Sequence, residues 1–294
     1  MQYGFVLPGG TATEQLALAV VAEEAGWDGV FVWEAAYGVD AWTLLAAMAQ
    51  RTTRVRLGTL LTPLPWRRPW KVASQAVTLD QVSGGRAILA VGLGAVETGL
   101  GQTGEEIDRR VRAQMLDEGI DLITSLWAGR LRFRGQHYQV DLAAREDLAR
   151  VARPVQHPRI PIWVVGAWPR PKSLRRVLRC DGVLPVCMDA GGFRATTPDD
   201  IRAMQRWFDA HGGVRPGFDV VIEGETPADT ATAAAIVALW EGAGCTWWIE
   251  ARWELPHDSA ERMSQVARGS RPAPHVSPER PHLNSPSGSA GASW

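Results

Sequence analysis

The chain has 294 residues, 46% of them hydrophobic and 21% charged, which provides for a large core and excludes a globally disordered chain. Lys plus Arg (31) and Asp plus Glu (32) almost cancel to a net charge of −1, excluding the broad basic footprint of a nucleic-acid binder and a polybasic membrane anchor. No run of about 18 apolar residues occurs, and Met1-Gln2-Tyr3-Gly4-Phe5 lacks both a basic and an apolar leader region, so the expectation is a cytoplasmic protein without membrane span or signal peptide.

The elements follow in strict alternation. Residues 3–8 (YGFVLP) read as a strand, then a helix opens at Thr13 and stops at Gly26. Residues 29–33 (GVFVW) and 56–61 (RLGTLL) are strands flanking a helix over 41–50. Pro69 suits the first turn of a helix running to Val82, which Ser83-Gly84-Gly85 ends before a strand over 87–91 (AILAV). A long excursion follows, with a helix over 105–127 and a small hairpin over 131–140. Strands over 161–165, 182–186, 218–223 and 246–251 then alternate with helices over 172–179, 198–210, 229–242 and 259–266. The strands are near-continuous apolar runs, as in a parallel sheet covered on both faces. Eight such units predict an α/β protein with a (β/α)8 TIM barrel, carrying an insertion between strands 4 and 5. The barrel takes residues 1–267, with 95–158 as the insertion or lid region. From 268 to 294 the chain turns to Pro, Ser, Gly and His, the composition of a disordered tail. A doubly wound open sheet would want a Gly-rich fingerprint after strand one, of which Pro8-Gly9-Gly10 is only a fragment.

A barrel of this kind works at the carboxyl ends of its strands. That position alone selects Pro8-Gly9, Glu34, residues 59–62, Gly92-Leu93-Gly94, Gly166-Ala167-Trp168, Val186-Cys187, residues 223–226 and Glu250-Ala251-Arg252. The turn at 166–169 leads into a helix with Arg170 and Lys172 near its start. It reads either as a phosphate site or as an ordinary turn with solvated charges. The carboxylates Glu34, Glu223, Glu225 and Glu250 read as a divalent metal site, or as separate groups with Glu225 on Arg252 and Glu34 orienting a donor. None of the six histidines ends a strand, and neither a G-x-S-x-G elbow nor a P-loop is present. The three cysteines, Cys180, Cys187 and Cys245, stand far apart and read as small buried hydrophobes, with no metal ligand set among them. The 14 Trp residues outnumber Phe and Tyr together; Trp33, Trp168, Trp247, Trp248 and Trp253 fall near the strand ends, where they either line an apolar cavity or pack the core.

A longer pattern starts at strand three: Leu57-Gly58-Thr59-Leu60-Leu61-Thr62-Pro63, Arg67-Arg68-Pro69, Ala76-Val77-Thr78-Leu79-Asp80, Ser83-Gly84-Gly85-Arg86 and Val91-Gly92-Leu93-Gly94. With AEEAGWDG at 22–29, RAQMLDEGI at 112–120 and PRIPIWVVG at 158–166, it resembles the bacterial luciferase-like superfamily, over roughly residues 1–255. That superfamily contains FMN-dependent monooxygenases and coenzyme F420-dependent oxidoreductases.

The resemblance implies a flavin or deazaflavin ring at the strand ends, backed by a bulge in strand three with a non-prolyl cis peptide at Thr59–Leu60. It implies that Thr62 touches the ring's polar edge. The implied cofactor contacts are Thr59, Leu60, Thr62, Gly92, Gly94, Gly166, Ala167, Trp168, Val186 and Cys187, with the phosphate near the last five. The implied catalytic residues are Glu34 and Thr62. Two departures stand out. Where sugar-phosphate dehydrogenases of the superfamily carry Asp-His, this chain has Glu34-Ala35, and where they carry Glu after strand four it has Ala95. Trp127, Phe133 and Tyr138 in the insertion either roof the site or simply pack.

The expected function is therefore a flavin-dependent oxidoreductase, a luciferase-like monooxygenase using reduced FMN and O2 on a small organic substrate inside a dry cavity. The alternative is F420-dependent hydride transfer, with Arg67, Arg68, Arg170 and Lys172 as a groove for an acidic tail. A flavin-binding protein without turnover and a metal-dependent hydrolase using Glu34, Glu223 and Glu250 are the rivals from other classes. A homodimer and a separate flavin reductase are the expected partners.

Overall fold

The structure is a computed structural model and describes residues 1–7, 9–96 and 99–253. In chain order it contains β1 (Gln2–Leu7), α1 (Ala12–Glu24), β2 (Gly29–Val32), α2 (Ala41–Arg51), β3 (Arg56–Pro63), α3 (Pro69–Val82), β4 (Ala87–Gly92) and α4 (Arg109–Trp127). Then come β5 (Arg132–Arg134), β6 (Gln139–Asp141), α5 (Glu146–Val151), β7 (Ile162–Trp168), α6 (Pro171–Val177), β8 (Gly182–Asp189) and β9 (Gly192–Arg194). α7 (Pro198–Ala210), β10 (Asp219–Gly224), α8 (Thr230–Glu241) and β11 (Trp247–Glu250) complete it.

Eight of these strands pair in parallel in the order β1, β2, β3, β4, β7, β8, β10, β11, and β11 pairs back with β1. The sheet is thus the closed barrel expected from the alternation. The helix expected over 259–266 and the tail over 268–294 lie outside the described residues.

Local chemistry explains the element boundaries. Thr11 caps α1, with Glu14 closing a capping box, and Thr197 caps α7 with Asp200 in the same role. Asp40, Asp108 and Asp229 cap α2, α4 and α8 through their carboxylates. Such caps contribute about 1 kcal/mol each. The Asp108 cap is why the helix expected from 105 starts at Arg109: its carboxylate accepts from the backbone of Arg110 and Val111 at 2.9 Å.

Two layers of core result. Between strands and helices lies a cluster including Leu45, Leu57, Val72, Leu79 and Ile123. Inside the barrel a second cluster is built on Phe31, Trp163 and Trp247, whose ring centroids stand 5.3–6.0 Å apart. These rings demand glycine beside them: a Cβ on Gly29 would lie 2.9 Å from Phe31 and 3.0 Å from Trp247. Asp219 closes the base of this plug, accepting from the indoles of Trp163 (3.0 Å) and Trp247 (3.2 Å). All three cysteines are buried and unpaired. No described helix is long and apolar enough to cross a membrane.

Three features differ from expectation. The non-prolyl cis peptide lies at Leu60–Leu61 rather than Thr59–Leu60. The register gives the reason: between the pairs Thr59–Leu89 and Thr62–Val91, β3 advances three residues while β4 advances two, which centres the bulge on Leu60 and Leu61. The strand expected over 182–186 runs on to Asp189 and folds back as β9, paired Cys187–Arg194, Met188–Phe193 and Asp189–Gly192. The turn at Asp189-Ala190-Gly191-Gly192 carried that hairpin signal. The short helix α5 was also not read in the sequence.

Candidate functional site

A cleft of about 590 Å³ opens at the carboxyl ends of β2, β3, β4, β7 and β8, with α4 and β9 on its outer side. Its walls are largely apolar, with Leu61, Leu93, Val165 and Val186 the main contributors. This size and lining are those of a small-molecule site. Two glycines shape it. A Cβ on Gly92 would lie 2.9 Å from Leu61 and 3.0 Å from Val165, both cleft walls. Gly94 has φ +79°, and a Cβ there would collide with the ring of Trp66.

Glu34 is the acidic side chain of the cleft, and its carboxylate is only 5% exposed. Oε1 accepts from Thr62 Oγ1 and from Trp42 Nε1, both at 2.6 Å. Oε2 accepts from Arg67 at 2.6 Å, and Arg67 is held in turn by Gln75 at 3.0 Å. Thr59 Oγ1 stands 2.9 Å from Thr62 Oγ1. Burial pushes the Glu34 carboxyl above its ordinary range, outweighing the pull of Arg67, Thr62 and Trp42 in the other direction. A carboxyl so placed is suited to exchanging a proton with a group in the cleft.

The cleft lining is also rich in cations. Arg109, Arg112, Arg170, Lys172 and Arg176 all reach the cleft. Two of them have structural work: Arg112 donates to the carbonyls of Leu93 and Gly94, and Arg176 forms a two-pronged pair with Asp117. Arg170 and Lys172 are exposed at the start of α6, beside Ser173.

Of the residues selected from the sequence, Glu34, Leu61, Leu93, Gly94, Ala167, Arg170, Lys172 and Val186 line the cleft. Thr59 and Thr62 are fully buried and reach it only through Glu34. Leu60 belongs to the barrel interior. Gly166, Trp168 and Cys187 point the other way, because side chains alternate along a strand and it is Val165, Ala167 and Val186 that face inward. A Cβ on Gly166 would lie 2.6 Å from Val183 and 3.0 Å from Val177, on the helix side. Cys187 is 1% exposed, and burial pushes its thiol up, with Thr196 and Asp200 beside it.

Among the five tryptophans expected at the mouth, Trp33 lines the cleft. Trp247 and Trp248 are core residues, Trp168 packs against the outer core, and Trp253 is 44% exposed and donates to Glu223. Trp127 and Tyr138 are buried in packing, and Trp127 donates to the Ala73 carbonyl; the cleft is covered instead from α4 by Arg109, Arg112, Ala113 and Leu116. Arg67 is committed to Glu34, and Arg68 lies over Trp70. Sequence reasoning missed Trp42, Ser173, Arg109 and Arg112; helix-start cations facing the strand ends were the signal available for Arg109.

The carboxylates singled out for a metal are engaged by other groups in the structure. Glu250 is fully buried and bound by Thr226, Trp248 and Arg252, Glu225 pairs with Arg252 at 3.2 Å, and Glu34 pairs with Arg67. No group of three or more His, Cys, Asp or Glu side chains able to hold a metal ion occurs among the described residues.

Known proteins resemble this chain in both sequence and fold. A Mycobacterium tuberculosis protein provisionally named a coenzyme F420-dependent oxidoreductase is 34% identical over 207 residues, covering 68% of this chain and 56% of the relative. The matched part of the chain spans about half the length of the curated relatives. An F420-dependent secondary alcohol dehydrogenase, solved with an F420-acetone adduct, superposes with a TM-score of 0.72 at 17% identity, covering 92% of this chain and 99% of that one. The monooxygenase RslO1 of Streptomyces bottropensis superposes with a TM-score of 0.71 at 19% identity, covering 92% and 98%. The family model for luciferase-like monooxygenases matches residues 2–286, and the chain belongs to that family.

Proposed function

We propose that the protein is an oxidoreductase that holds a flavin-type cofactor, FMN or coenzyme F420, in this cleft and acts on a small organic substrate. The observation that carries the proposal is the make-up of the cleft: apolar walls at the ends of β3, β4, β7 and β8, with a buried carboxyl and exposed cations in the same lining.

The residues present fit such a group. Leu61, Val165 and Val186 offer flat apolar contact to a fused ring, and Arg170, Lys172 and Ser173 offer charge and hydrogen bonds to a phosphate. The cofactor, when bound, supplies the hydride or the oxygen chemistry. The protein's own residues orient the ring against the bulge of β3, exclude water with apolar walls, and hold a proton at the Glu34 carboxyl. Arg67 and Trp42 keep that carboxyl oriented at the cleft, and Thr62 links it to Thr59 behind the strand.

The names of the F420-dependent relatives support F420. The apolar walls and the monooxygenase neighbour support FMN, reduced by a separate flavin reductase, reacting with O2. Sugar-phosphate oxidation is not proposed, since Ala95 lines the cleft where that subgroup carries an acid and Ala35 follows Glu34.

The test is a titration of the purified protein with FMN and with F420, in oxidised and reduced forms, read by fluorescence. Micromolar binding of one of them, followed by turnover on a substrate panel, is expected. Binding of neither overturns the proposal, and tight binding without turnover across the panel reduces the protein to a flavin carrier.

A further inference from the structure

The β8–β9 hairpin has two faces with different tasks. Val186 lines the cleft, and Met188, two residues on, shares its face. Met188 and Phe193 are register partners, and directly opposed residues of an antiparallel pair project from the same side. That side turns toward α4, for Met188 Sδ receives the Arg109 guanidinium at 3.4 Å across the mouth of the cleft. On the other side, Cys187 and Arg194 are also partners. Cys187 is buried there, and Arg194 grips both carboxylate oxygens of Asp200 at 2.7 Å, tying the hairpin to the start of α7. Gly191 and Gly192 form the tip, Gly192 at φ +117°.

Phe193 is consequently mounted on an anchored ribbon, lines the cleft, and yet is 76% exposed. Among the described residues nothing buries its ring, and the cleft it lines also holds Val186 and Ala167. A large exposed ring beside an apolar cleft sheds its water when an apolar body fills the cleft, and a planar ring offers it a stacking partner.

We propose that Phe193 is the cover of the site: it closes over the ring of the bound cofactor or aromatic ligand and governs how long that ligand is held. The proposal rests on the cleft being the flavin-type site. The Arg194–Asp200 pair sets the position of the ribbon, and Phe193 supplies the contact.

The experiment is stopped-flow fluorescence with FMN and with F420 on the wild type, Phe193→Ala, Phe193→Leu and Phe193→Tyr, alongside thermal unfolding. Phe193→Ala is expected to release the ligand about tenfold faster, with the association rate changed by less than about threefold. Phe193→Tyr should restore slow release, with Phe193→Leu in between. Because the side chain is exposed, the melting temperature should not move in any variant, which separates covering from folding. Release from Phe193→Ala at the wild-type rate overturns the inference while leaving the cofactor site intact. A wild type that binds neither FMN nor F420 overturns the cofactor site and the cover together.

Discussion

Thr62 Oγ1 and Glu34 Oε1 stand 2.6 Å apart, although 28 residues separate them in the chain. The bulge in β3 makes the contact possible. Residues three apart on a regular strand face opposite ways, but the extra residue turns Thr59 and Thr62 to the same side, their hydroxyls 2.9 Å apart. Thr62→Val leaves the size of the side chain unchanged and removes the donor. We expect a loss of about 1–2 kcal/mol in stability by urea unfolding, because a buried acceptor loses one of its partners. Turnover should fall further than cofactor affinity.

Glu34→Gln tests proton handling. Turnover should drop by about 10²-fold if the carboxyl exchanges a proton with the substrate, while affinity for the oxidised cofactor stays within a few-fold. Stability carries a second signature. Burial raises the folded pKa of Glu34, so its neutral form favours folding. That contribution is fully present below the ordinary carboxylate value and is lost as pH rises through the raised one. The wild type should therefore lose stability relative to Glu34→Gln across that window, measured as the difference in melting temperature against pH. A difference independent of pH contradicts the burial effect.

Asp200 behaves in the opposite sense. The Arg194 guanidinium beside it holds its carboxyl well below the usual range. Its contribution is present above the ordinary carboxylate value and disappears as pH falls below that toward the depressed one. Asp200→Asn should thus destabilise the protein at neutral pH, and the gap to wild type should begin to narrow only below pH ~4 and keep narrowing with further acidification. Thermal melts over that range check it.

The resemblance puts Gly166 near the phosphate, which would make Gly166→Asp a probe of it; the structure gives the substitution another meaning. The new Cβ would press on Val183 at 2.6 Å and Val177 at 3.0 Å. Overpacking of this kind costs about 2 kcal/mol, a fall in melting temperature of about 4–8 °C for a domain of this size. The effect should appear with or without cofactor.

Arg170→Ala and Lys172→Ala are the cleaner probes, since both side chains are exposed and face the cleft. Each should weaken FMN binding by about tenfold through loss of a charged hydrogen bond to phosphate. Riboflavin, which has no phosphate, should bind wild type and variants alike. Equal losses for both ligands refute the assignment.

Much of the architecture was legible. α3 and α7 begin at the expected Pro69 and Pro198, because each starts with Pro at its first turn after an extended residue. Glu34 was legible as a mouth residue because it follows the end of a strand. Less legible were the facings. Gly166 and Cys187 were chosen by proximity to strand ends, and each missed the cleft by a single step of the pleat. Arg67 was read as part of a basic groove, because its pairing with Glu34 joins residues 33 apart.

By itself, the sequence determined that eight apolar strands alternate with helices and that the polar and glycine-bearing turns gather at one rim. Periodicity and capping are local properties, written within a few residues of where they act. Tertiary structure alone decided which side chains enter the cleft. Barrel closure, the displacement of register at Leu60–Leu61, and the burial of Glu34 between Arg67, Trp42 and Thr62 arise only when distant segments are brought into register. A shift of one residue in that register would move each side chain to the opposite face.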